Sequence, residues 1–445
     1  MDCDAVVIGG GFAGVTAARE LGSRGLHTVL LEARDRLGGR TWTTEFAGET
    51  LEMGGTFIHW RQPHVWTEMT RYGLSIVDSR ATPQNFDVLL SGKPLRRVSP
   101  EKASEAAARA DEVFNAFVSS PVNRAALPRP HDPLFHPALL ERDRLSMQDR
   151  LDEMGLSASD QELISRPLAS MAGSPLSEAG LTPVLRWLAL AEWDMGKWDE
   201  ETRYRLEGNT ISLIRAIVSD GEVEVRLSTP VAAVEVTDDA VRITTRSGEV
   251  VSAPVGVMAI PGNCWPTVEF TPALPQSHRE VAAMGLGKPQ QDRVFLRARS
   301  SIGRVSVNLP GGEPLQSFST VKQLDGDTQL IQGGNANPSL NVHDTDQVAE
   351  TIQRYVPELE VLDVFGHSWG ADEFARGANT FYRPGQLRYL ADLQRPVGRL
   401  AFAGADIASG YFGNMDGAIE SGLRAAQQCL QASRKAAGRA LARSA

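Results

Sequence analysis

Three glycines near the start of the chain have the spacing of a phosphate-binding turn. Gly9, Gly11 and Gly14 lie between an apolar run at 6–8 and a helix-like run at 15–22. In such a turn the first glycine permits the tight bend, the second lets the backbone approach a pyrophosphate, and the third lets the helix pack on the strand. The free N–H groups at the helix N-terminus favour negative charge. The pattern therefore predicts a dinucleotide site.

The next segment supplies groups for the rest of a dinucleotide. A strand predicted at 28–31 ends in Glu32, and an acidic side chain about that far after the glycines can accept from a ribose hydroxyl. The run 32–40 then adds arginines and a glycine pair, which can neutralise and closely approach a pyrophosphate. We expect its contacts to come from Ala33, Arg34, Gly39 and Arg40.

Two further segments contain glycine turns. The turn Gly54-Gly55-Thr56 can lie against a flat ring. Near the other end, a strand predicted at 400–403 leads to Gly404 and Asp406. A final helix then opens with Gly413, Asn414 and Met415.

Taken together, these motifs resemble flavin-dependent amine oxidases of the monoamine oxidase type, from the first turn to the last helix. The resemblance implies an α/β fold in which a Rossmann-like FAD-binding domain of the GR2 type is interleaved with a substrate-binding domain of mixed sheet plus helices. The expected FAD-binding domain is discontinuous, over 1–80, 206–265 and 391–445. The expected substrate-binding domain covers 81–205 and 266–390.

The resemblance also implies an activity and a set of contacts. A small or medium amine would be oxidised to an imine, and then hydrolysed to a carbonyl, by hydride transfer to flavin N5 with oxygen as the expected acceptor. By this resemblance, Gly9, Gly11, Gly14 and Arg40 would hold the pyrophosphate, and Glu32 would hold the adenosine ribose. The Val231 backbone would contact the adenine. The flavin ring would lie beside Trp369, with Asp406 on the ribityl chain and the Met415 N–H on the pyrimidine edge.

Three positions depart from the family pattern. Ala378 occupies the position of the cysteine that binds the flavin in covalent members, so we expect non-covalent FAD. Asn379 and Asn414 replace the two aromatic walls of the amine cage. Two amides suit a polar substrate, or else they only hydrogen-bond loop backbone.

The family lysine near flavin N5 is also displaced. An ungapped count from the segment 270–275 reaches Asp292 at that position, whereas Lys288 lies four residues earlier and could replace it only through a loop rearrangement. Two like charges about 4 Å apart interact by about 4 kcal/mol at an effective dielectric near 20. An ionised Asp292 would therefore oppose negative charge on the reduced flavin, which puts reaction with oxygen in doubt.

Other side chains are open to two interpretations. His59, beside Trp60, could be a general base or a hydrogen-bonded structural residue. Trp187, Trp193 and Trp198 fall in what we predict to be one helical stretch, and they could line a pocket or fill a core. Two other functions stay open: a dehydrogenase or desaturase with another acceptor or substrate, and a flavin-binding protein without turnover.

Composition narrows the class of protein. The chain has 445 residues, and 42% of them are hydrophobic, as in a globular protein. Its net charge of −10 argues against nucleic acid or an anionic membrane as a binding partner. Three scattered cysteines predict neither a metal site nor disulfides, and favour a cytoplasmic location. We expect no signal peptide and no membrane anchor. A homodimer is compatible with the sequence.

Overall fold

The computed structural model describes residues 2–80, 85–92, 95–287, 291–309, 313–335 and 339–444. A five-stranded parallel sheet carries the first turn. Its central strand Ala5–Ile8 pairs with Thr28–Leu31 on one side and Val255–Met258 on the other. The outer strands are Val223–Arg226 and Leu400–Phe402. The three inner strands are buried at every position, as expected where both faces of a parallel sheet are covered.

Helices cover this sheet. Phe12–Gly22 follows the first strand and packs against Asn209–Ser219 and the C-terminal helix Met415–Ser444. The helix contact is close because Gly422 has no side chain: a Cβ there would lie 2.4 Å from the Ala13 carbonyl oxygen. This packing places the start of the last helix beside the first glycine turn.

A second sheet has four strands. Val250–Ala253, Val241–Thr245 and Val231–Val236 are antiparallel neighbours, and Glu269–Thr271 joins Val231–Val236 in parallel. Our domain division assigns residues 269–271 to the substrate-binding domain, yet their backbone pairs with the FAD side. The division itself remains a prediction.

The third sheet is mixed, has seven strands and spans the predicted substrate-binding region. Asp292–Ser300 lies between Leu359–Ser368 and Thr328–Asn335 and is antiparallel to both. On one face, alternate residues from Val294 onward pack with the helix Thr345–Gln353 in a hydrophobic core. The remaining strands, in order, are Ser317–Gln323, Val305–Asn308, Val88–Ser91 and Arg96–Arg97.

Helices dominate residues 100–200. The proline-rich stretch 121–137 begins with a short helix, Pro121–Ala126. The tryptophan region is not one helix, because Glu192 and Trp193 have positive φ angles of 58° and 61° between two helices. The helices are Pro100–Val118, Pro121–Ala126, Ala138–Arg142, Met147–Met154, Ala158–Ala172, Thr182–Leu190 and Met195–Glu200.

Smaller elements complete the described chain. Two small antiparallel pairs join Thr43–Phe46 with Glu49–Glu52, as a hairpin, and Ile76–Asp78 with the distant Tyr204–Leu206. In the described ranges, no helix is long and apolar enough to cross a membrane. The other helices are Pro63–Arg71, Gln276–Met284 and Leu390–Leu393, with 3-10 turns at Gly262–Thr267, Leu387–Tyr389 and Ala405–Ile407.

Candidate active site

A cavity of about 570 Å³ begins at the carboxyl end of the parallel sheet, where open α/β folds bind their ligands. It passes the glycine turn and the Gly54 turn and reaches Trp187, Trp198 and Glu201. Most of the predicted site residues line this one space. They are Gly9, Gly11, Glu32, Ala33, Arg34, Gly39, Arg40, Gly54, Gly55, Thr56, Val231, Asp292, Trp369, Asn379, Gly404, Gly413, Asn414 and Met415.

The three glycines of the first turn have different reasons to be glycine. A Cβ on Gly14 would lie 1.8 Å from the Gly9 carbonyl oxygen, and Gly9 has a φ of +106°. Those two positions are therefore fixed by the turn itself. A Cβ on Gly11 would meet no protein atom closer than 3.8 Å. The space over Gly11 belongs to the cavity, which fits the close approach of a cofactor phosphate.

The Glu32 carboxylate is positioned by backbone amides. Gly10 N donates to Oε2 at 2.6 Å, and Arg34 N donates to Oε1 at 2.8 Å. The side chain is buried yet lies on the cavity wall. The Arg34 guanidinium pairs with Asp372 at 2.5 Å, and its other nitrogen lies 4.0 Å from Glu32 Oε1. Glu32 is thus held where a carboxylate could accept from a ribose hydroxyl.

Arg40 and Asp406 pair with each other. Two guanidinium nitrogens donate to the two carboxylate oxygens at 2.8 and 3.0 Å, and Arg40 also donates to the Ala378 carbonyl. Burial alone would raise the pKa of Asp406, but Arg40, Thr380 and the Gly262 N–H more than offset it, so this pKa lies below its usual range. Asp406 itself does not line the cavity, so its role toward the ribityl chain remains a prediction.

The Gly54 turn forms the wall against Trp369. A Cβ on Gly54 would lie 2.0 Å from the Arg40 carbonyl oxygen and 3.0 Å from the Trp369 ring. The indole N–H of Trp369 donates to the Met53 carbonyl at 2.8 Å. The turn and the tryptophan therefore hold each other in place along the cavity.

Arg293 is a cavity residue that our sequence analysis missed. Its Nη1 donates to the carbonyls of Glu52 and Gly54 at 2.7 and 3.0 Å and to the Thr56 hydroxyl at 3.1 Å. Burial lowers the pKa of this guanidinium. Its partners lie about 240 residues earlier in the chain, so no local pattern in the sequence identifies it.

Asp292 begins its strand, is 9% exposed and lines the same cavity. The side chain that reaches the Gly54–Thr56 turn is Arg293, one residue later. Lys288, the alternative to Asp292, lies outside the described residues. Which of the two faces the flavin remains a prediction.

The two asparagines that replace the aromatic cage both line the cavity. The side-chain oxygen of Asn379 is buried and has no hydrogen-bond partner among the described residues. Asn414 precedes the last helix, and its backbone carbonyl accepts from Ala418 N. Whether the two asparagines bind substrate or loop backbone remains a prediction.

Aromatic rings and one acid form the other end of the cavity. Trp187 stacks on Phe412 with ring centroids 5.3 Å apart, and Trp198 stacks on Phe114 at 5.5 Å. Trp193 is absent from the described cavity wall. Glu201, which the sequence analysis also missed, lines this end, and burial raises the pKa of Glu201 to about 7.

His59 is fully buried and is not among the described residues of the cavity wall. Its Nδ1 accepts from Arg61 N at 3.1 Å, and its ring lies 3.8 Å from the Trp60 ring. Burial lowers the pKa of His59, and Arg61 lowers it further. These contacts support the structural interpretation of His59.

Comparisons with known proteins agree with this geometry. The model of flavin-containing amine oxidoreductases matches residues 12–430. The chain is 39% identical to nicotine dehydrogenase of Pseudomonas putida, over 97% of this chain and 89% of that protein. It is 27% identical to (S)-6-hydroxynicotine oxidase of Paenarthrobacter nicotinovorans, over 94% and 97%. A solved putrescine oxidase shares the fold, with a TM-score of 0.77 at 21% identity, covering 97% and 99%.

The chain therefore belongs to the flavin-containing amine oxidoreductase family. FAD is its cofactor, and it is an enzyme that oxidises amines. The family and fold that the motifs predicted are confirmed.

Proposed function

We propose that this enzyme oxidises a polar amine carrying an aromatic ring, holds FAD without a covalent bond, and passes electrons to an acceptor other than oxygen. The observation that carries the proposal is the shared cavity. It joins the glycine turn to an end that combines two amides, stacked tryptophans and a carboxyl group. The more similar relatives include one named for nicotine, an amine with an aromatic ring.

When bound, FAD supplies the acceptor for a hydride equivalent from the carbon that bears the amine. The protein then has to place that carbon. Asn379 and Asn414 offer hydrogen bonds to a neutral amine, and the Trp187 ring offers an apolar face for an aromatic group. Trp369 and the Gly54 turn close the opposite wall.

The sequence motifs alone predict oxygen as the electron acceptor. Two observations favour a different electron acceptor. The 39% identical relative is named a dehydrogenase, and the 27% identical relative an oxidase. In addition, Asp292 lies on the cavity wall. A carboxylate there would disfavour negative charge on the reduced flavin.

Anaerobic mixing of the holoenzyme with a panel of amines tests this function. We expect aryl-substituted secondary and tertiary amines to bleach the flavin, and the bleached enzyme to recover only slowly in air. Rapid recovery would make it an oxidase. If no amine in a broad panel bleaches the flavin, the proposal is wrong and a role without turnover is favoured.

Acid precipitation tests the non-covalent attachment. Ala378 has no atom that could bond to a flavin carbon, so all of the yellow colour should move to the supernatant. Colour that stays in the protein pellet would contradict this part of the proposal.

A further inference from the structure

Glu201 is the acidic group at the aromatic end of the cavity. It follows directly after the helix Met195–Glu200 and is 9% exposed. The same cavity wall includes Trp187, Trp198 and Thr202. A carboxyl group in such apolar surroundings needs either a proton or a positively charged partner.

The protein itself supplies little to this carboxyl group. In the described ranges, its one side-chain hydrogen bond comes from the Tyr411 hydroxyl, which donates to Oε1 at 3.1 Å. The nearby cation, Arg61, is already committed: its Nη2 pairs with Glu200 at 2.7 Å, and its Nη1 donates to the Lys197 carbonyl. The second oxygen of Glu201 therefore remains available on the cavity wall.

Glu201 is linked to the predicted substrate side of the flavin through one short segment. Tyr411, its hydrogen-bond donor, lies three residues before Asn414. Between them, Phe412 stacks on Trp187, which also lines the cavity. The carboxylate, the aromatic ring and the amide thus belong to one connected wall.

We propose that Glu201 binds a positively charged nitrogen of the substrate at the aromatic end of the cavity, apart from the neutral amine that is oxidised beside the asparagines. This inference rests on the proposed function, because it names the substrate class of the same site. Glu201 Oε2 would lie against the positive charge of the cation, while Tyr411 fixes Oε1. The tryptophan faces would add a cation–π contribution.

The charged groups around Glu201 set the pH range of this binding. Burial raises the pKa of Glu201, Tyr411 and Arg61 lower it, and Asp416, which pairs with His64, raises it. The net pKa is about 7. The carboxylate is therefore present above about pH 7 and is lost as the pH falls, so cation binding should weaken in acid.

The test is binding of benzyltrimethylammonium to oxidised holoenzyme, followed through the flavin absorbance. This ion keeps its charge at every pH and has no nitrogen lone pair, so it reports binding without turnover. Its neutral isostere, neopentylbenzene, is the matched ligand. We expect the wild type to bind the cation at least tenfold more tightly at pH 8, and to lose most of that preference at pH 6.

Two variants locate the effect. Glu201→Gln should raise the Kd for the cation about tenfold, leave the Kd for the neutral ligand unchanged, and abolish the pH dependence. Asp199→Asn removes a charge two residues away, where the side chain pairs with Arg80 outside the described cavity wall, and should leave the preference intact. FAD content and Tm of both variants show whether they fold.

Three results separate the proposals. A wild type without cation preference, or a Glu201→Gln variant that keeps it, overturns the role of Glu201 even if amines bleach the flavin. A preference that depends on Glu201 supports this role, and it does so even if every amine fails to reduce the flavin. Loss of the preference in Asp199→Asn as well would assign it to the general charge of this region, and would also overturn the role of Glu201.

Discussion

The two ends of the cavity are built by different means. At the cofactor end, backbone atoms fill the space: a Cβ on Gly14 or Gly54 would lie 1.8 or 2.0 Å from a carbonyl oxygen. At the aromatic end, side chains form the wall, among them Trp187, Glu201 and Asn414. A substitution at the first end must therefore displace backbone, whereas one at the second changes a side chain of the cavity wall.

The largest effect should come from the glycine turn. Gly14→Ala places a Cβ 1.8 Å from the Gly9 carbonyl oxygen, so the strand and helix must separate. We expect unfolding to become easier by about 3 kcal/mol or more, with loss of FAD. Thermal unfolding and the flavin-to-protein absorbance ratio measure both effects.

Gly11→Ala is the matched control for that substitution. Its Cβ has 3.8 Å of clearance from protein atoms and its backbone is extended, so the Tm of the apoprotein should not change. The FAD Kd should rise at least about tenfold, since a charge-assisted hydrogen bond is worth about 1.5–3 kcal/mol. Unchanged FAD affinity would show that the phosphates lie elsewhere.

Substitution of Asp292 tests which charged side chain lies beside the flavin, between the two ends of the cavity. If it occupies the lysine position, Asp292→Lys should speed the reoxidation of photoreduced enzyme by oxygen at least about tenfold, because an ammonium favours the anionic reduced flavin. Lys288→Met should have little effect. Stopped-flow reoxidation needs no substrate. The opposite pattern would make Lys288 the functional lysine.

The smallest effect is expected from the amides. Asn414→Ala should lower kcat/KM about tenfold, through loss of one or two hydrogen bonds of about 1 kcal/mol each, while FAD content stays constant. Steady-state kinetics with any amine that bleaches the flavin measures this. Unaltered kinetics would show that Asn414 has a structural role and does not bind the substrate.

The difference between the two ends also explains what the sequence could predict. The strand at 28–31 followed from its apolar run, and the first turn followed from Gly9 and Gly14, which are constrained by neighbouring backbone atoms. Arg293 and Glu201 depend on partners far along the chain, Gly54 and Tyr411. No local pattern carries that information. The break at Trp193 was missed because a positive φ has no signal in a residue other than glycine or asparagine.

A crystal structure of the holoenzyme with a slowly reacting aryl amine would test the shared cavity most directly. We predict the flavin ring between the Gly54 turn, Trp369 and Met415, without a bond to Ala378. The amine should lie between Asn379 and Asn414, with its aromatic group toward Trp187. An amine bound away from both asparagines, or a flavin ring outside this cavity, would contradict the account.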